Sequence, residues 1–154
     1  MPEVSGKIAN VNGRNFQNYS EVILASKGYK FIHNNDFFTA CQNKEPIFTR
    51  ELYLGINLYN DPMRCDIVVY HPEKYPNFLI IECKWQQVSG SIDEKYSFLV
   101  ESLKKNKEYQ ALILIDGGGY RASAKKWLDE QVGDNLINVF NISQFVAWTN
   151  EGKV

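Results

Sequence analysis

Residues 65–86 read CDIVVYHPEKYPNFLIIECKWQ, and the fold turns on how this stretch is parsed. Two runs, 65–70 and 78–85, are rich in β-branched and aromatic residues, the composition of strands. Between them HPEKYPN supplies two prolines and an asparagine, which favour a turn, so the pair reads as an antiparallel hairpin. With the loop centred on Lys74, position 66 lies opposite position 82, and their Cβ atoms stand about 4.5–5.5 Å apart. Along the second strand Glu82, Lys84 and Gln86 alternate with Ile81, Cys83 and Trp85. One face is therefore apolar, and the other carries an acid, a base and an amide in a row.

Working outward, residues 14–27 place Phe16, Tyr19, Val22 and Ile23 on one side at helical spacing, and Gly28 follows as a usual helix stop. Residues 29–33 and 37–41 look strand-like, and 47–54 is either strand or irregular. After the hairpin, Ser91 and Glu94 fit a capping box that opens a helix to about Lys107. Residues 111–115 form a short buried strand, the glycines at 117–119 a loop, 122–131 a helix and 137–140 a final strand. Asn141, three residues before Gln144, caps a last helix through Trp148. A mixed α/β sheet flanked by helices is expected.

The chain has 154 residues, of which 44% are hydrophobic and 23% charged, an ordinary globular composition. No repeat or linker divides it, so residues 1–154 read as a single domain. The longest apolar runs fall far short of the roughly 18 residues of a membrane span. Met1 to Asn10 show no apolar signal region, so a cytoplasmic, membrane-free protein is expected. Three widely spaced cysteines, Cys41, Cys65 and Cys83, form no CxxC pair and read as reduced, buried thiols; with only two histidines, a zinc centre is disfavoured. The net charge of -1 excludes a basic-tail mode of nucleic-acid binding, although residues 91–126 carry 7 basic against 5 acidic groups.

The facing carboxylates of Asp66 and Glu82 demand an explanation. Two such charges about 5 Å apart repel by roughly 3 kcal/mol at an effective dielectric of about 20. A bound cation offsets this, and so does the Lys84 ammonium on the same face. All-oxygen ligation suits Mg²⁺ or Mn²⁺ better than Zn²⁺. The bland alternative is the solvated polar face of a half-exposed hairpin, the usual pattern of antiparallel strands.

Asp66, sixteen residues, then Glu82-Cys83-Lys84 resembles the motif of the PD-(D/E)XK nuclease superfamily. The segment IIECKWQQVSGSIDEKY is similar to a branch found among restriction-type and phage-borne nucleases, and the element order matches its αβββαβ core over roughly residues 13–140. The resemblance implies a restriction-endonuclease-like fold and a metal-dependent DNA endonuclease. It implies Asp66 and Glu82 as Mg²⁺ ligands, with Mn²⁺ as a substitute, Lys84 as a catalytic cation and Gln86 as an orienting group. Relatives often add a glutamate from the first helix. Here Gln17 stands in that place, and Glu21, one turn later, is the substitute metal ligand and catalytic residue; a solvent-facing helix charge is its plain reading. Cutting both DNA strands would need a homodimer or partner subunit. The competing reading is a catalytically idle nucleic-acid-binding or assembly subunit on a nuclease fold.

The remaining signals are weaker. The Asp116–Arg121 glycine loop lacks the phosphate-cradling GxxxxGK[ST] pattern and reads as a turn. Lys104, Lys105 and Lys107 suit a solvated helix end. Arg121, Lys125 and Lys126 read as a solvated face that can reach DNA phosphates. Trp85, Trp127 and Trp148 read as packing residues.

Overall fold

Six strands of the computed structural model lie side by side in the order of the chain. It describes residues 2–86 and 92–154, with side chains from residue 13 to 86 and from 95 onward. The elements are α1 (Pro2–Ser26), β1 (Lys30–Phe31), α2 (Phe37–Ala40), β2 (Ile47–Ile56), β3 (Pro62–His71), β4 (Tyr75–Trp85), α3 (Ile92–Lys105), β5 (Gln110–Asp116), α4 (Ala122–Glu130), β6 (Leu136–Phe140) and α5 (Ile142–Asn150). β2, β3 and β4 form an antiparallel meander, whereas β1 joins β2, β5 joins β4 and β6 joins β5 in parallel. The expected α/β architecture, a mixed sheet flanked by helices with an α-β-β-β-α-β core, is what the chain adopts.

Each face of the sheet buries its own core. Tyr96, Val100 and Leu103 of α3, Leu128 of α4 and Phe37 of α2 cover Val68, Ile80 and Ile113. On the other face Phe16, Ile23 and Leu24 of α1 and Phe145 and Trp148 of α5 cover Ile67, Ile81, Leu112 and Leu114. β4 and β5 are central and read as nearly continuous apolar runs, as strands buried on both faces must. Among the described residues no helix is long and apolar enough to cross a membrane. All three cysteines are free thiols.

Several boundaries differ from the sequence reading. α1 begins well before residue 14 and ends at Ser26; beyond it Gly28, at φ 92°, lets the Gly28 and Tyr29 amides bond back to Ala25 and Leu24. Phe16 and Ile23 are buried as expected, but Tyr19 and Val22 are exposed; the buried stripe continues instead through Ser20 and Leu24. Residues 37–41 are helical, not a strand. A 3₁₀ turn at Asn34–Asp36, capped by the His33 side chain, leads straight into α2, and Phe37 buries its ring beside Phe38 and Phe78. Burial of that aromatic overrides its strand propensity. The hairpin turn is tighter than its prolines suggest, since Pro76 lies inside β4 and His71 pairs with Tyr75. α3 ends at Lys105, short of Lys107. The Ser91–Glu94 capping box lies outside the described residues. The Asn141 cap has both of its reciprocal bonds with Gln144.

Candidate active site

The sheet is locally torn where β3 meets β4. Their ladder runs through Ile67↔Ile81, Val68↔Ile80 and Val69↔Leu79, the register that sets residue 66 opposite 82. At that next position side chains take over from the ladder. The Asp66 amide donates to Glu82 Oε2 at 2.9 Å, and the Cys83 amide donates to Asp66 Oδ2 at 2.9 Å. Each carboxylate is thus anchored by one oxygen to the opposite strand, which fixes both side chains without using their remaining acceptor capacity. β2 contributes to the break: Glu51, opposite this stretch, sits at φ 54°. Leu52 and Leu54 consequently share a face with Ile47, and Cys65 shares one with Val68, a reversal of strict alternation in both strands.

The break opens into a cleft of about 930 Å³. Gly13, Arg14 and Gln17 of α1 form one wall, and Lys95, Tyr96, Phe98, Leu99 and Ser102 of α3 form the other. Asp66, Glu82 and Lys84 lie at its base, with Arg50, Glu51 and Arg64 along the β2–β3 side. Lys84 Nζ stands 3.9 Å from Asp66 Oδ2. Three of the five residues singled out from the sequence are therefore brought together.

Electrostatics bind this trio. Burial, and then the neighbouring Asp66 carboxylate, push the Glu82 carboxyl well above the usual carboxylate range, while Lys84 opposes the rise. Burial works against the Lys84 charge, but Glu82 and Asp66 together outweigh it and hold its pKa above the ordinary lysine value. Lys84 is thus kept cationic by the very charges it faces.

Glu21 and Gln86 are placed elsewhere. Glu21 is buried beneath Arg50, which donates from Nε at 3.0 Å and approaches from its terminal nitrogen at 2.9 Å. Its Oε2 is buried without a hydrogen-bond partner among the described residues, and the residue does not line the cleft. Burial raises the Glu21 carboxyl despite Arg50, whose guanidinium also stacks 4.3 Å over the Phe31 ring. Glu21 is not the solvated helix charge of its plain reading: it is buried and paired with Arg50, outside the cleft lining. Gln17 reaches the site instead, donating from Nε2 to the Asp66 carbonyl at 3.2 Å. Gln86 is buried behind the cleft, where its Oε1 accepts from the Tyr96 hydroxyl at 2.6 Å.

Two features escaped the sequence. The glycine loop after β5 clamps the end of β4: Gly119 donates to the Gln86 carbonyl at 2.7 Å, and Gln86 donates to the Asp116 carbonyl at 2.9 Å. Gly117 has φ 103°, and a Cβ there would stand 2.4 Å from the Gln86 carbonyl oxygen, so only glycine fits. Asn106 buries its amide between α3 and β2, exchanging bonds with both backbone groups of Ile56. Nothing in local sequence signals either contact, because each joins segments far apart in the chain.

The donor set fits a hard divalent cation. Two oxygen-bearing side chains at one buried point suit Mg²⁺, which commonly binds one or two carboxylates and retains waters or substrate oxygens in its other positions. Among the described residues no group of three or more His, Cys, Asp or Glu side chains converges. Residues 8–153 match the family model of the PD-(D/E)XK nuclease superfamily domain. No curated protein and no solved structure matches the chain.

Proposed function

The chain belongs to the PD-(D/E)XK nuclease superfamily, and we propose that it is a Mg²⁺-dependent endonuclease that hydrolyses phosphodiester bonds in DNA, with Mn²⁺ as an alternative ion. The observation that supports this reading is the convergence of Asp66, Glu82 and Lys84 at the base of one cleft. Asp66 and Glu82 would hold the metal, which when bound polarises the phosphate and activates water. Their crosswise bonds to the Asp66 and Cys83 amides hold both carboxylates in place before any ligand arrives, so little reorganisation is needed at the moment of reaction.

Lys84 supplies fixed positive charge where the attacked phosphate gains negative charge, and its pKa, held up by its neighbours, keeps that charge through neutral pH. Gln17 steadies the β3 backbone at Asp66, and Gln86 steadies Tyr96 on the cleft wall. Glu21 acts one step away, fixing the Arg50 guanidinium at the cleft margin. A single cleft cuts one strand; severing a duplex would require a second copy or a partner subunit.

The withdrawal of Glu21 into its pair with Arg50 favours a second reading, a DNA-binding subunit without turnover. A plasmid assay decides between them. Incubation with supercoiled plasmid at low salt is expected to give nicked or linear products with Mg²⁺ or Mn²⁺ and none with EDTA. Intact plasmid under every condition would leave only the binding role.

A further inference from the structure

The loop joining β2 to β3 is held more firmly than its exposure suggests. Asn57 accepts from the Tyr59 and Asp61 amides at 2.9 and 3.1 Å, and its own amide donates to the Asp61 carbonyl at 2.8 Å. α3 pins the loop from the side: Ser102 Oγ accepts from the Leu58 amide at 3.0 Å, and the Lys105 ammonium bonds Asn60 Oδ1. From this rigid mount Tyr59 projects into solvent, 72% exposed. Phe98 backs its ring, with centroids 5.1 Å apart. Phe98, Asn57 and Pro62 line the cleft that holds Asp66 and Glu82, so the aromatic pair forms the lip of that cleft.

Tyr59 is the most exposed large hydrophobic side chain among the described residues, and it stands on a loop that is already ordered. Pinning the loop removes the entropy cost of ordering it on contact with a ligand, while the outer ring face stays available for stacking. The same cleft is lined by Arg14 on one wall, Lys95 on the other and, between them, Arg64, which is exposed and pairs with Glu51 at 2.8 Å. An exposed ring next to a cationic groove is the arrangement that takes a base and its flanking phosphates from an unpaired strand. An intact duplex keeps its bases stacked on one another and offers the ring no face.

We infer that Tyr59, backed by Phe98, stacks an unpaired base of a DNA strand whose phosphates follow Arg14, Arg64 and Lys95 past Asp66 and Glu82. The inference rests on the nuclease reading of the same cleft and names its substrate: DNA that is single-stranded, frayed or branched at the cut.

The test measures binding separately from cleavage. Fluorescence anisotropy in EDTA at low salt compares a labelled oligo-dT of about 16 nucleotides with a blunt duplex of similar length. Tyr59→Ala is expected to weaken oligo-dT binding about tenfold, Tyr59→Phe to retain wild-type affinity, and duplex binding to change in neither variant. Thermal melts matching wild type confirm that the exposed substitution leaves the fold intact. Unchanged oligo-dT affinity in Tyr59→Ala, or an equal loss on oligo-dT and duplex, would overturn the stacking site. A Tyr59-dependent preference for oligo-dT in a protein inert towards plasmid and oligo-dT with Mg²⁺ and Mn²⁺ would sink the nuclease reading and leave the stacking site standing. Metal-dependent cleavage with no role for Tyr59 would do the reverse.

Discussion

At Asp66 one side chain serves two masters, since its Oδ2 holds the Cys83 amide while its charge opposes that of Glu82. Asp66→Asn keeps a carbonyl oxygen for the amide and removes the repulsion. The variant should therefore lose cleavage yet melt at the same temperature or slightly higher, with a gain of at most about 1 kcal/mol after relaxation and the loss of the Lys84 attraction. Millimolar Mg²⁺ should raise the melting temperature of wild type and leave the variant nearly unmoved, because only an ion bound to the native state stabilises it. A variant that loses several kcal/mol, with no Mg²⁺ response in either protein, would make Asp66 a structural hub and nothing more. Asp66 and Glu82 were legible as facing positions because a loop centred on Lys74 gives the register seen at Ile67↔Ile81, although the turn itself closes at His71↔Tyr75 and a register shift before it restores that pairing; the two-residue period of β4 put Lys84 on the face of Glu82. The Arg50 partner of Glu21 was not legible because helical spacing says which residues lie near a face but not which distant cation will claim one of them. Arg50 lies on a strand 29 residues away, and its bond to Glu21 has no local signature.

Elements are held in place by contacts that a sequence does not advertise. The turn between β3 and β4 is organised by His71, whose Nδ1 accepts from the Glu73 and Lys74 amides at 3.1 and 3.0 Å. Burial, then the Lys74 ammonium, lower its pKa. Protonation destroys the acceptor, so the turn is supported while His71 is neutral, and that support is lost as pH falls from the unfolded value near 6.5 through the lower folded one. Amide exchange at Glu73 and Lys74 should accelerate beyond the intrinsic trend as pH falls through the acidic range below the ordinary histidine value, and His71→Ala should abolish the step. An unchanged exchange profile across that range would show that the turn stands without its cap. The prolines of this loop indicated a turn but not its length, because Pro76 is tolerated within β4 just past the turn. At the opposite end of β4 the glycine loop acts as a clamp. Gly117→Ala places a methyl against the Gln86 carbonyl and forces an L-residue into φ 103°, which should cost on the order of 1–3 kcal/mol. Melting in urea reads this directly, and the same variant should slow cleavage because Gln86 supports Tyr96.

Across the whole molecule a net charge of -1 coexists with a cleft lined by five cations and three carboxylates, in which Arg50, Arg64 and Lys84 are paired with acids and Arg14 and Lys95 are the cations the binding proposal leans on. The proposed attraction to DNA is therefore a local property of the cleft, and composition alone could exclude only a basic tail. Binding of oligo-dT should weaken steeply with added salt, and Arg14→Gln and Lys95→Gln should each reduce the slope of log affinity against log salt by about 0.7. A slope unchanged in both variants would put the DNA on another surface. The order of helices and strands was readable from periodicity and caps except at 37–41, a helix where a strand was expected; the tear between β3 and β4 was not, since it depends on which backbone amides the two carboxylates claim across the strands. That tear carries a consequence for how the site is to be studied. Two carboxylates stand in for rungs that the backbones would otherwise share, and so act as a wedge in an unfinished zip. Replacing Asp66 and Glu82 together with alanine removes the wedge, and the strands are then free to close by another step. The inert double variant often chosen for trapping a substrate would have a different floor to its cleft, whereas Lys84→Met would silence the centre and keep the wedge.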